Sequence, residues 1–592
     1  MVKVGVAFPD FISSEKPRKI RNYGEKRNNT RDFFLLFCLL IGVIFIVGKL
    51  FLIQVLQGDY YRTLSDSNRI KTIIIHAPRG QILDRNGNPL VFNVPGFRKS
   101  VKGKTILVSK DDAIKMIAAG DKTLEYDSLR QYPYSDAFAH VLGYTGQISA
   151  DELKQDNFAG YRGGDLVGKM GIEQYYESAL RGQDGKQLVE VDSVGNTIRK
   201  LGQTDPIPGQ DLTLTLDLNL QKAAYSAMQN VKQGALIVST PKGEILTMIS
   251  KPSFDPNLFT LPLSYQKSSD SAKKLDEILY DSIGRPLLNR AISGTYPPGS
   301  TFKLIVAAAG LQDKIIDQNW EINDTGIINV GSFSFSNWFF SQYGRTDGLV
   351  NVVKGIKRSN DIFFYKLAET VGVDKISQMA EKFGLGKILG IDLFGEAAGI
   401  VPTQEWKQKE IGEPWYLGDT YHYGIGQGYL LTTPLQVNGW TQVIANEGKL
   451  YKPHLLKDIG DKVLSDNILN KENSDLIREG MIEACAPGGV AWPLFDFNVK
   501  NPKLKIDGKN FLSVPQATTS ASFSDYRKVT VACKTGTAQH GDANTEPHAW
   551  ITLFAPAYDP QIVVTVLSES SGEGSNVAAP IAKKVLEEWF SR

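Results

Sequence analysis

The most restrictive feature of this 592-residue sequence is one apolar run close to its start. The run extends from Phe33 to Leu56, and the part from Phe33 to Gly48 carries no charged residue. A helix needs ~20 apolar residues to cross a bilayer. Lys49 follows where its long side chain can reach the membrane interface. We therefore expect one membrane-spanning helix here, rather than the buried core helix that a shorter run would predict.

Charge around the apolar run predicts its orientation. The segment 1–32 contains eight lysines and arginines, whereas only a handful of basic residues closely follow the run. Such an excess stays on the cytoplasmic side of a membrane. No small-x-small cleavage site follows, which favours an uncleaved signal anchor. We expect a single-pass protein of the cell membrane with a cytoplasmic tail at 1–32, an anchor at 33–56 and the remaining residues exported.

Composition excludes several classes of function. Lysine and arginine number 66 against 64 aspartates and glutamates, so no general positive field favours nucleic acid as a partner. With 42% hydrophobic and 22% charged residues, the chain is typical of folded globular proteins. Cys38, Cys485 and Cys533 are odd in number and lack metal-ligand spacing. We therefore expect neither a disulfide framework nor a thiolate metal site.

The chain is too long for one core, and turn signals divide the exported part near residue 210. Residues 76–93 place apolar pairs on both sides of 84–87 and predict a β-hairpin. Residues 168–182 predict one helix with a shared face, formed by Ile172, Tyr175, Tyr176 and Leu180. Residues 185–199 are strand-like, and Pro206–Gly209 marks a boundary. We assign 57–210 to a β-rich, non-catalytic pedestal and 211–592 to a second domain.

The second domain has strand patterns at both ends and helical patterns between them. It starts with period-two alternation at 211–218, then a hairpin at 234–250, and it ends with a hairpin at 548–570. Helical patterns cover 304–311, 360–371 and 577–590. This order predicts an α+β domain in which helices flank an antiparallel sheet.

Ser300 and Lys303 form a candidate catalytic pair. They follow Pro297-Pro298-Gly299, where a helix is expected to start, and the spacing i, i+3 places hydroxyl and amine on one face. Desolvation on an apolar helix would lower the pKa of the lysine and make it a base. The S-x-x-K pattern alone is weak evidence, because it also occurs at Ser13, Ser239, Ser264 and Ser271.

Two further motifs follow in a fixed order. Ser359, Asn360 and Asp361 come after the Ser300 segment and open a helical pattern, where a helix N-cap is the simpler explanation. Lys534, Thr535, Gly536 and Thr537 end a β-branched run much farther along the chain, as an exposed strand end would. A lysine and two threonines beside a glycine also suit a carboxylate and an extended peptide.

Taken together, the three motifs match the set found in penicillin-binding proteins and serine β-lactamases. The sequence resembles class B penicillin-binding proteins, and among them the elongation-type penicillin-binding protein 2, across nearly the whole chain. The matching segments are PRGQILDRNG, GKMGIEQYYESALRG, NRAISGTYPPGSTFK, SNDIFFY, PWYLGDTYHYGIGQGYLLTTPLQ, PGGVAWPLF, KTGTAQ and HAWITLFAP. The resemblance implies a membrane-anchored D,D-transpeptidase that cross-links peptidoglycan and is acylated by β-lactams, with a penicillin-binding transpeptidase fold on a pedestal.

The resemblance also implies residue roles. Ser300 would attack the D-Ala-D-Ala carbonyl, Lys303 would take its proton, and Ser359 would relay protons to the leaving and incoming nitrogens. Asp361 would orient Lys303 and Ser359. The substrate's terminal carboxylate would be held by Lys534 and Thr535, with Gly536, Thr537 and Asn360 also contacting substrate. The backbone N–H groups of Ser300 and Thr537 would form the oxyanion hole.

No cofactor is expected for this acyl transfer. Some relatives place a cysteine in the middle of the second motif and use it in a nearby metal site, but Asn360 stands there, so we expect no metal. The partners implied are stem peptides, β-lactams, a SEDS-family membrane glycosyltransferase and other proteins of the elongation complex. The stretch 99–136 is shorter than the head lobe of many relatives.

Several alternatives differ in class. A division-type transpeptidase would share the motifs and differ in partners and location. A β-lactamase-like hydrolase would need neither the anchor nor the pedestal. A β-lactam sensor would need an intracellular effector, and the segment 1–32, which has no metalloprotease motif, supplies none. An inactive scaffold would be expected to lack a catalytic residue, and none is missing.

Overall fold

The computed structural model describes residues 29–592 apart from 102–103, 109, 122–123, 193–196, 261–268, 502, 505–525 and 543. The chain divides into two compact units. The first combines the residues up to Ile74 with Lys186–Thr204, and the second combines Ile75–Gly185 with Asp205–Arg592.

The first unit contains the predicted membrane span as a helix. Asn29–Phe51 is α-helical and continues as a π-helical turn at Leu52–Leu56. The stretch Thr30–Leu56 has 27 residues and a mean hydropathy of 2.9, so it is long and apolar enough to cross a bilayer. Its apolar side chains are exposed along its length. Most of the predicted cytoplasmic tail lies outside the described residues.

A short helix and a three-stranded antiparallel sheet complete this unit. The helix Gly58–Arg69 leads into the first strand, and the sheet order is Ile70–Ile75, Gly185–Val191, Thr197–Thr204. Glu190 accepts hydrogen bonds from Arg69 and Arg199, which ties the helix end to the sheet. The strand-like pattern at 185–199 is therefore confirmed.

The pedestal part of the second unit is β-rich around a buried turn. Strands Ile82–Leu83 and Pro89–Val101 form the predicted hairpin. The buried Asp84 carboxylate accepts the backbone N–H groups of Asn86 and Asn88, which fixes the turn. The other strands of this part are Lys104–Val108, Leu124–Gln131, Thr145–Gln147 and Leu166–Gly168. Its α-helices are Lys110–Ala118 and Ala139–Leu142, and its 3₁₀ turns are Ser135–Ala137, Glu152–Lys154 and Asp156–Phe158.

The single helix predicted at 168–182 is wrong. The segment forms two short helices, Gly171–Tyr175 and Glu177–Leu180, interrupted at Tyr176, whose φ of −105° and ψ of 27° leave the helical region. The Tyr176 hydroxyl donates to Asp392 at 2.9 Å. Tyr175 therefore does not share the buried face of Ile172 and stays 37% exposed.

A buried ion cluster anchors the first of these helices. Glu173 is fully buried and accepts hydrogen bonds from Arg79 at 2.6 Å and from Arg130 at 2.7 Å. Burial raises the pKa of Glu173, but the two guanidinium groups outweigh this effect and lower it. The carboxylate therefore stays charged and links three segments of the pedestal.

The second domain is built on the predicted antiparallel sheet. Its five strands lie in the order Ile245–Lys251, Gly234–Ser239, Ile562–Ser568, His548–Ala555, Ala532–Ala538, and all pairs are antiparallel. Alternate residues face opposite layers: Ala235 and Ile237 join one hydrophobic cluster, and Leu236 and Val238 join the other. Both predicted hairpins are confirmed.

Helices cover both faces of the sheet. Leu218–Ala227 and Ala578–Phe590 pack on one face, and Pro434–Ala445 packs on the other. The remaining helices are Asn257–Thr260, Ser269–Tyr280, Lys303–Gln312, Trp338–Tyr343, Val352–Arg358, Asp361–Val371, Val373–Lys382, Gln404–Glu410, Leu417–Gly424 and Lys471–Ala484, with short 3₁₀ turns at Gly299–Thr301 and Trp492–Leu494. The helices predicted near 304–311, 360–371 and 577–590 are confirmed.

Small two-stranded ladders pair Ile322–Asp324 with Gly348–Val350, Ile327–Val330 with Phe333–Ser336, Leu450–Tyr451 with Val463–Ser465 and Asn498–Lys500 with Tyr526–Lys528.

The alternating segment at 211–218 forms only a two-residue strand, Leu212–Thr213. Its backbone has partners on two sides: Leu214 N donates to Leu83 O, and Thr215 N donates to Leu455 O. The segment therefore adds a short parallel strand beside Ile82–Leu83 and also bonds to Leu455, far along the chain.

The expectation of no disulfide is wrong. Cys485 and Cys533 are bonded, with their Cα atoms 5.9 Å apart. Cys485 ends the helix Lys471–Ala484, which packs across the edge strand that holds Cys533. The odd number of cysteines and their wide spacing in the sequence do not predict pairing, because packing brings together residues that are distant in sequence.

Breaking this disulfide should destabilise the second domain. The two cysteines are 48 residues apart, and chain entropy assigns about 4 kcal/mol to a cross-link closing a loop of that size. The double variant Cys485→Ser, Cys533→Ser should therefore melt at a lower temperature than the oxidised wild type in scanning calorimetry. Cys38→Ser is the control and should melt like the wild type. Equal melting temperatures for oxidised and reduced protein would contradict the prediction.

Candidate active site

Ser300 lies in a tight turn against the edge strand of the sheet. The 3₁₀ turn Gly299–Thr301 leads directly into the buried helix Lys303–Gln312, as the sequence predicts. Gly299 has a φ of +55°, and a Cβ there would lie 2.9 Å from Thr537 O. A glycine before the serine is therefore required for this close approach to the strand.

Lys303 is fully buried and all three of its possible N–H donors have acceptors. Its Nζ lies 2.6 Å from Asp361 Oδ1, 2.8 Å from Ser359 O and 3.3 Å from Ser359 Oγ. Burial lowers the pKa of Lys303, as the sequence predicts, while the Asp361 carboxylate opposes that effect. Asp361 therefore favours the charged form of this lysine.

Lys534 is equally buried but lacks a carboxylate partner among the described residues. Its Nζ donates to Ser359 Oγ at 2.8 Å and to Thr535 O at 3.0 Å. Burial, and then the charge of Lys303, lowers its pKa well below the usual range of a lysine. Two donors are all that a neutral amine has, so these contacts suit an uncharged Lys534.

The Ser359 hydroxyl connects the two lysines. Ser359 follows the helix Val352–Arg358 in the left-handed region, with a φ of 53°. Its Oγ accepts from both lysines, which leaves its own proton as the donor toward the cleft. Asn360, and neither Ser359 nor Asp361, is the N-cap of the next helix, since its side chain accepts from Phe363 N.

A cleft of about 890 Å³ brings most of the expected residues together. Ser300, Ser359, Asp361, Thr535, Gly536 and Thr537 line it, whereas Lys303 and Lys534 lie behind its wall. The described structure contains no hydrogen bond between Ser300 Oγ and Lys303 Nζ. Lys534 reaches Ser359 rather than the open cleft, so its side chain is not placed to contact a bound carboxylate directly.

Asn360 is not brought to the cleft. Its side chain is fully buried, and its Nδ2 donates to Asp324 and Asp347 on the far side of the second motif. In the part of the chain that the structure describes, no group of three or more histidines, cysteines, aspartates or glutamates is placed to hold a metal ion.

The sequence motifs do not identify the other walls of the cleft. An aromatic wall comes from Phe335, Trp338, Tyr343 and Tyr365, and polar side chains come from His422, Gln427, Gln539, Glu573 and Asn576. Most of the aromatic wall comes from one run of aromatic and small polar residues in the sequence, FSFSNWFFSQY at 333–343. Its first four residues alternate aromatic and polar side chains, and they form the strand Phe333–Ser336.

Two family descriptions match the chain. Residues 233–587 match the family described as Penicillin binding protein transpeptidase domain, and residues 122–214 match the one described as Penicillin-binding Protein dimerisation domain. The peptidoglycan D,D-transpeptidase MrdA of Haemophilus influenzae is 33% identical, covering 98% of this chain and 95% of that protein. MrdA of Escherichia coli is 31% identical, covering 94% and 92% respectively.

Solved structures of similar proteins agree with these matches. Penicillin-binding protein 2 of Helicobacter pylori, in complex with MreC, has a TM-score of 0.71 and 29% identity, covering 88% of this chain and 98% of that one. Penicillin-binding protein 2 of Pseudomonas aeruginosa, in complex with WCK 5153, has a TM-score of 0.63 and 33% identity, covering 87% and 96%. A peptidoglycan synthase complex that coordinates polymerization and crosslinking contains a chain with a TM-score of 0.70 and 28% identity, covering 95% and 98%. The chain therefore belongs to the class B penicillin-binding proteins, which carry a dimerisation domain followed by a transpeptidase domain.

Proposed function

We propose that this protein is a serine D,D-transpeptidase that cross-links peptidoglycan stem peptides during cell elongation and is acylated by β-lactams. One observation carries the proposal: Ser300 faces a cleft whose wall holds Ser359 hydrogen-bonded to two buried lysines. The names of the similar proteins favour the elongation type over the division type.

The first step is acylation of Ser300. Its Oγ forms a bond to the carbonyl carbon between two D-alanines, and the C–N bond breaks to release free D-alanine. Burial lowers the pKa of both lysines, and the Asp361 carboxylate opposes this effect. We infer that Lys303, which begins the helix directly after the turn of Ser300, takes the Ser300 proton when its amine is neutral.

Ser359 then handles the second proton. Because its oxygen accepts from both lysines, its O–H can donate to the leaving nitrogen and be restored by a lysine. In the second step an acceptor amine from a neighbouring stem peptide attacks the acyl carbon and the ester bond to Ser300 Oγ breaks. The proton of the amine returns to Ser300 along the same route. The two half-reactions thus use one relay in opposite directions.

The edge strand supplies substrate recognition. Thr535 and Thr537 line the cleft, and we propose that their hydroxyl groups hold the terminal carboxylate, with Lys534 acting through Ser359 rather than on the carboxylate. Gly536 allows an extended peptide to approach the strand. Backbone N–H groups of Ser300 and Thr537 would stabilise the oxyanion, each such donor being worth roughly 3 to 4 kcal/mol of barrier.

We also propose that the anchor holds this site outside the cytoplasm. In this arrangement residues 1–32 stay cytoplasmic, 33–56 span the membrane once, and 57–210 support the transpeptidase domain of 211–592. Basic residues before the apolar helix support this orientation. A SEDS-family glycosyltransferase and other elongation proteins are the proposed partners, supported by the synthase and MreC complexes of the similar proteins.

Loss of the Ser300 hydroxyl should abolish covalent labelling. The solubilised full-length wild type should gain one penicilloyl group per chain when incubated with a fluorescent penicillin, whereas Ser300→Ala should gain none. Gel fluorescence and intact-mass measurement report the adduct. Ser341→Ala is a matched control, since Ser341 also lines the cleft and should label normally. An unlabelled wild type, or equal labelling of Ser300→Ala, would disprove the site.

Loss of the Ser359 hydroxyl should slow acylation by orders of magnitude while the fold is kept. Ser359→Gly removes the hydroxyl and also relieves the left-handed backbone at this position, whereas Ser359→Ala leaves that strain in place. Stopped-flow acylation rates should be equally low in both variants, and melting temperatures should stay close to the wild type. Near-normal acylation by either variant would remove Ser359 from the relay.

Acylation should also depend on pH through the buried lysines. Their lowered pKa values mean that the neutral amine forms as pH rises, so the acylation rate should increase with pH and level off below the usual pKa of lysine. Asp361→Asn removes the carboxylate that opposes deprotonation of Lys303. The inflection of the rate–pH profile should therefore move to lower pH.

A cleft carboxylate that touches neither lysine provides the control. Glu573→Gln should leave the inflection where it is in the wild type, because Glu573 bonds instead to Gln342 and Asn576. An Asp361→Asn profile that stays in place, or moves to higher pH, would contradict the proposed coupling between Asp361 and Lys303.

A further inference from the structure

Behind the second motif lies a buried group of one amide and two carboxylates, which we name the amide–carboxylate cluster: Asn360, Asp324 and Asp347. Asn360 Nδ2 donates to Asp324 Oδ2 at 2.8 Å and to Asp347 Oδ2 at 3.0 Å. Asn360 is fully buried and Asp324 is 3% exposed. Both N–H bonds of one neutral amide are therefore used to join two acidic side chains in the interior.

The orientation of this amide is fixed from its other end. Asn360 Oδ1 accepts the backbone N–H of Phe363 at 2.9 Å, so the amide oxygen faces the helix and the nitrogen faces the carboxylates. Asp324 is saturated with donors, since its oxygens also accept from Gly326 N, Asn337 Nδ2 and Asp347 N. Asp347 accepts from Arg358 Nε on its second oxygen at 2.9 Å.

These groups do not fit the metal site that some relatives build beside the second motif. A metal ion needs lone pairs, and Asn360 presents N–H donors where such an ion would sit between the two carboxylates. The oxygens of Asp324 already accept four hydrogen bonds from the protein. In this chain the amide takes the place of the cation as the group that holds the carboxylates together.

The cluster reaches Ser359 from both sides. Asn337, which donates to Asp324, accepts from Asp361 N at 3.2 Å. Next to it, Trp338 N donates to Asp361 Oδ2 at 2.9 Å, and the Trp338 indole donates to Arg358 O at 3.0 Å. Arg358, Asn360 and Asp361 are thus each held by this network, and they enclose the left-handed residue Ser359.

We propose that Asn360 is a positioning residue that sets the place of the Ser359 hydroxyl through the amide–carboxylate cluster. The proposal rests on the proposed transpeptidase function. It assigns to the middle residue of the second motif an action from behind the cleft rather than a contact with substrate.

A substitution that replaces only the amide NH₂ group of Asn360 by an oxygen tests the proposal. Asn360→Asp keeps the oxygen that caps the helix but replaces the N–H donors by a third acceptor beside two carboxylates. Its acylation rate by a fluorescent penicillin should fall at least tenfold. Asn470→Asp is the matched control, because Asn470 caps the helix Lys471–Ala484 in the same way and contacts neither carboxylate. It should acylate at the wild-type rate.

The double variant Asn360→Asp, Asp347→Asn separates positioning from general damage. It restores one amide and two carboxylates with two members exchanged. The new amide at position 347 can still accept from Arg358 while it donates to the new carboxylate at position 360. Position 360 and Asp324 are then two carboxyl groups in contact, which share one proton between them. Acylation should recover to within a few-fold of the wild type, with a melting temperature near that of Asn470→Asp. Treatment of the wild type with a chelator should change neither its rate nor its melting temperature.

The outcomes are distinct. Acylation of Asn360→Asp within twofold of the wild type overturns the proposal, as does an exchange variant that folds without recovering activity or fails to fold. A chelator-induced loss that zinc restores also overturns it. If Asn360→Asp does not fold, the exchange variant alone decides, and recovery supports the proposal. A wild type that takes no penicillin adduct at all instead disproves the proposed function.

Discussion

The burial of two lysine amines beside a single carboxylate is the constraint on which this site depends. Lys303 and Lys534 are both fully buried, and Asp361 pairs with only the first of them. An ammonium group removed from water costs several kcal/mol unless a counter-charge compensates it. Among the described residues Lys534 has no such partner, so burial, and then the charge of Lys303, lowers its pKa well below the usual range of a lysine. Both effects favour a neutral amine next to the Ser359 hydroxyl.

The fold keeps both amines dry while bringing them to one hydroxyl. Lys303 comes from a helix in the interior, Lys534 from the edge strand, and Ser359 from a left-handed residue between two helices. The disulfide at Cys533 ties the residue before Lys534 to the helix that ends at Cys485. The chemistry at Ser300 therefore depends on residues that never contact the substrate, and small shifts of the strand or the turn would separate the relay.

Local patterns in the sequence predict the sheet, its hairpins and the order of the motifs, because each depends on near neighbours along the chain. The break at Tyr176 was not predictable, since its hydroxyl bonds to Asp392, which is 216 residues away. The pairing of Cys485 with Cys533 was not predictable for the same reason, since these residues are 48 positions apart. The motifs predict that Lys534 contacts a substrate carboxylate, but the side chain points to Ser359. All three features depend on contacts between residues that are distant in sequence, and local patterns in a single sequence do not reveal such contacts.

Asn360 shows how such packing can separate geometry from charge. Ser359 has a left-handed backbone, which costs of order 1 to 3 kcal/mol for a residue with a side chain and persists only where its surroundings impose it. The amide of Asn360 helps to impose it without adding charge, since it joins Asp324 to Asp347, which also pairs with Arg358. Hydrogen-bond direction can therefore hold the serine in place, while the two lysines and Asp361 set the response to pH.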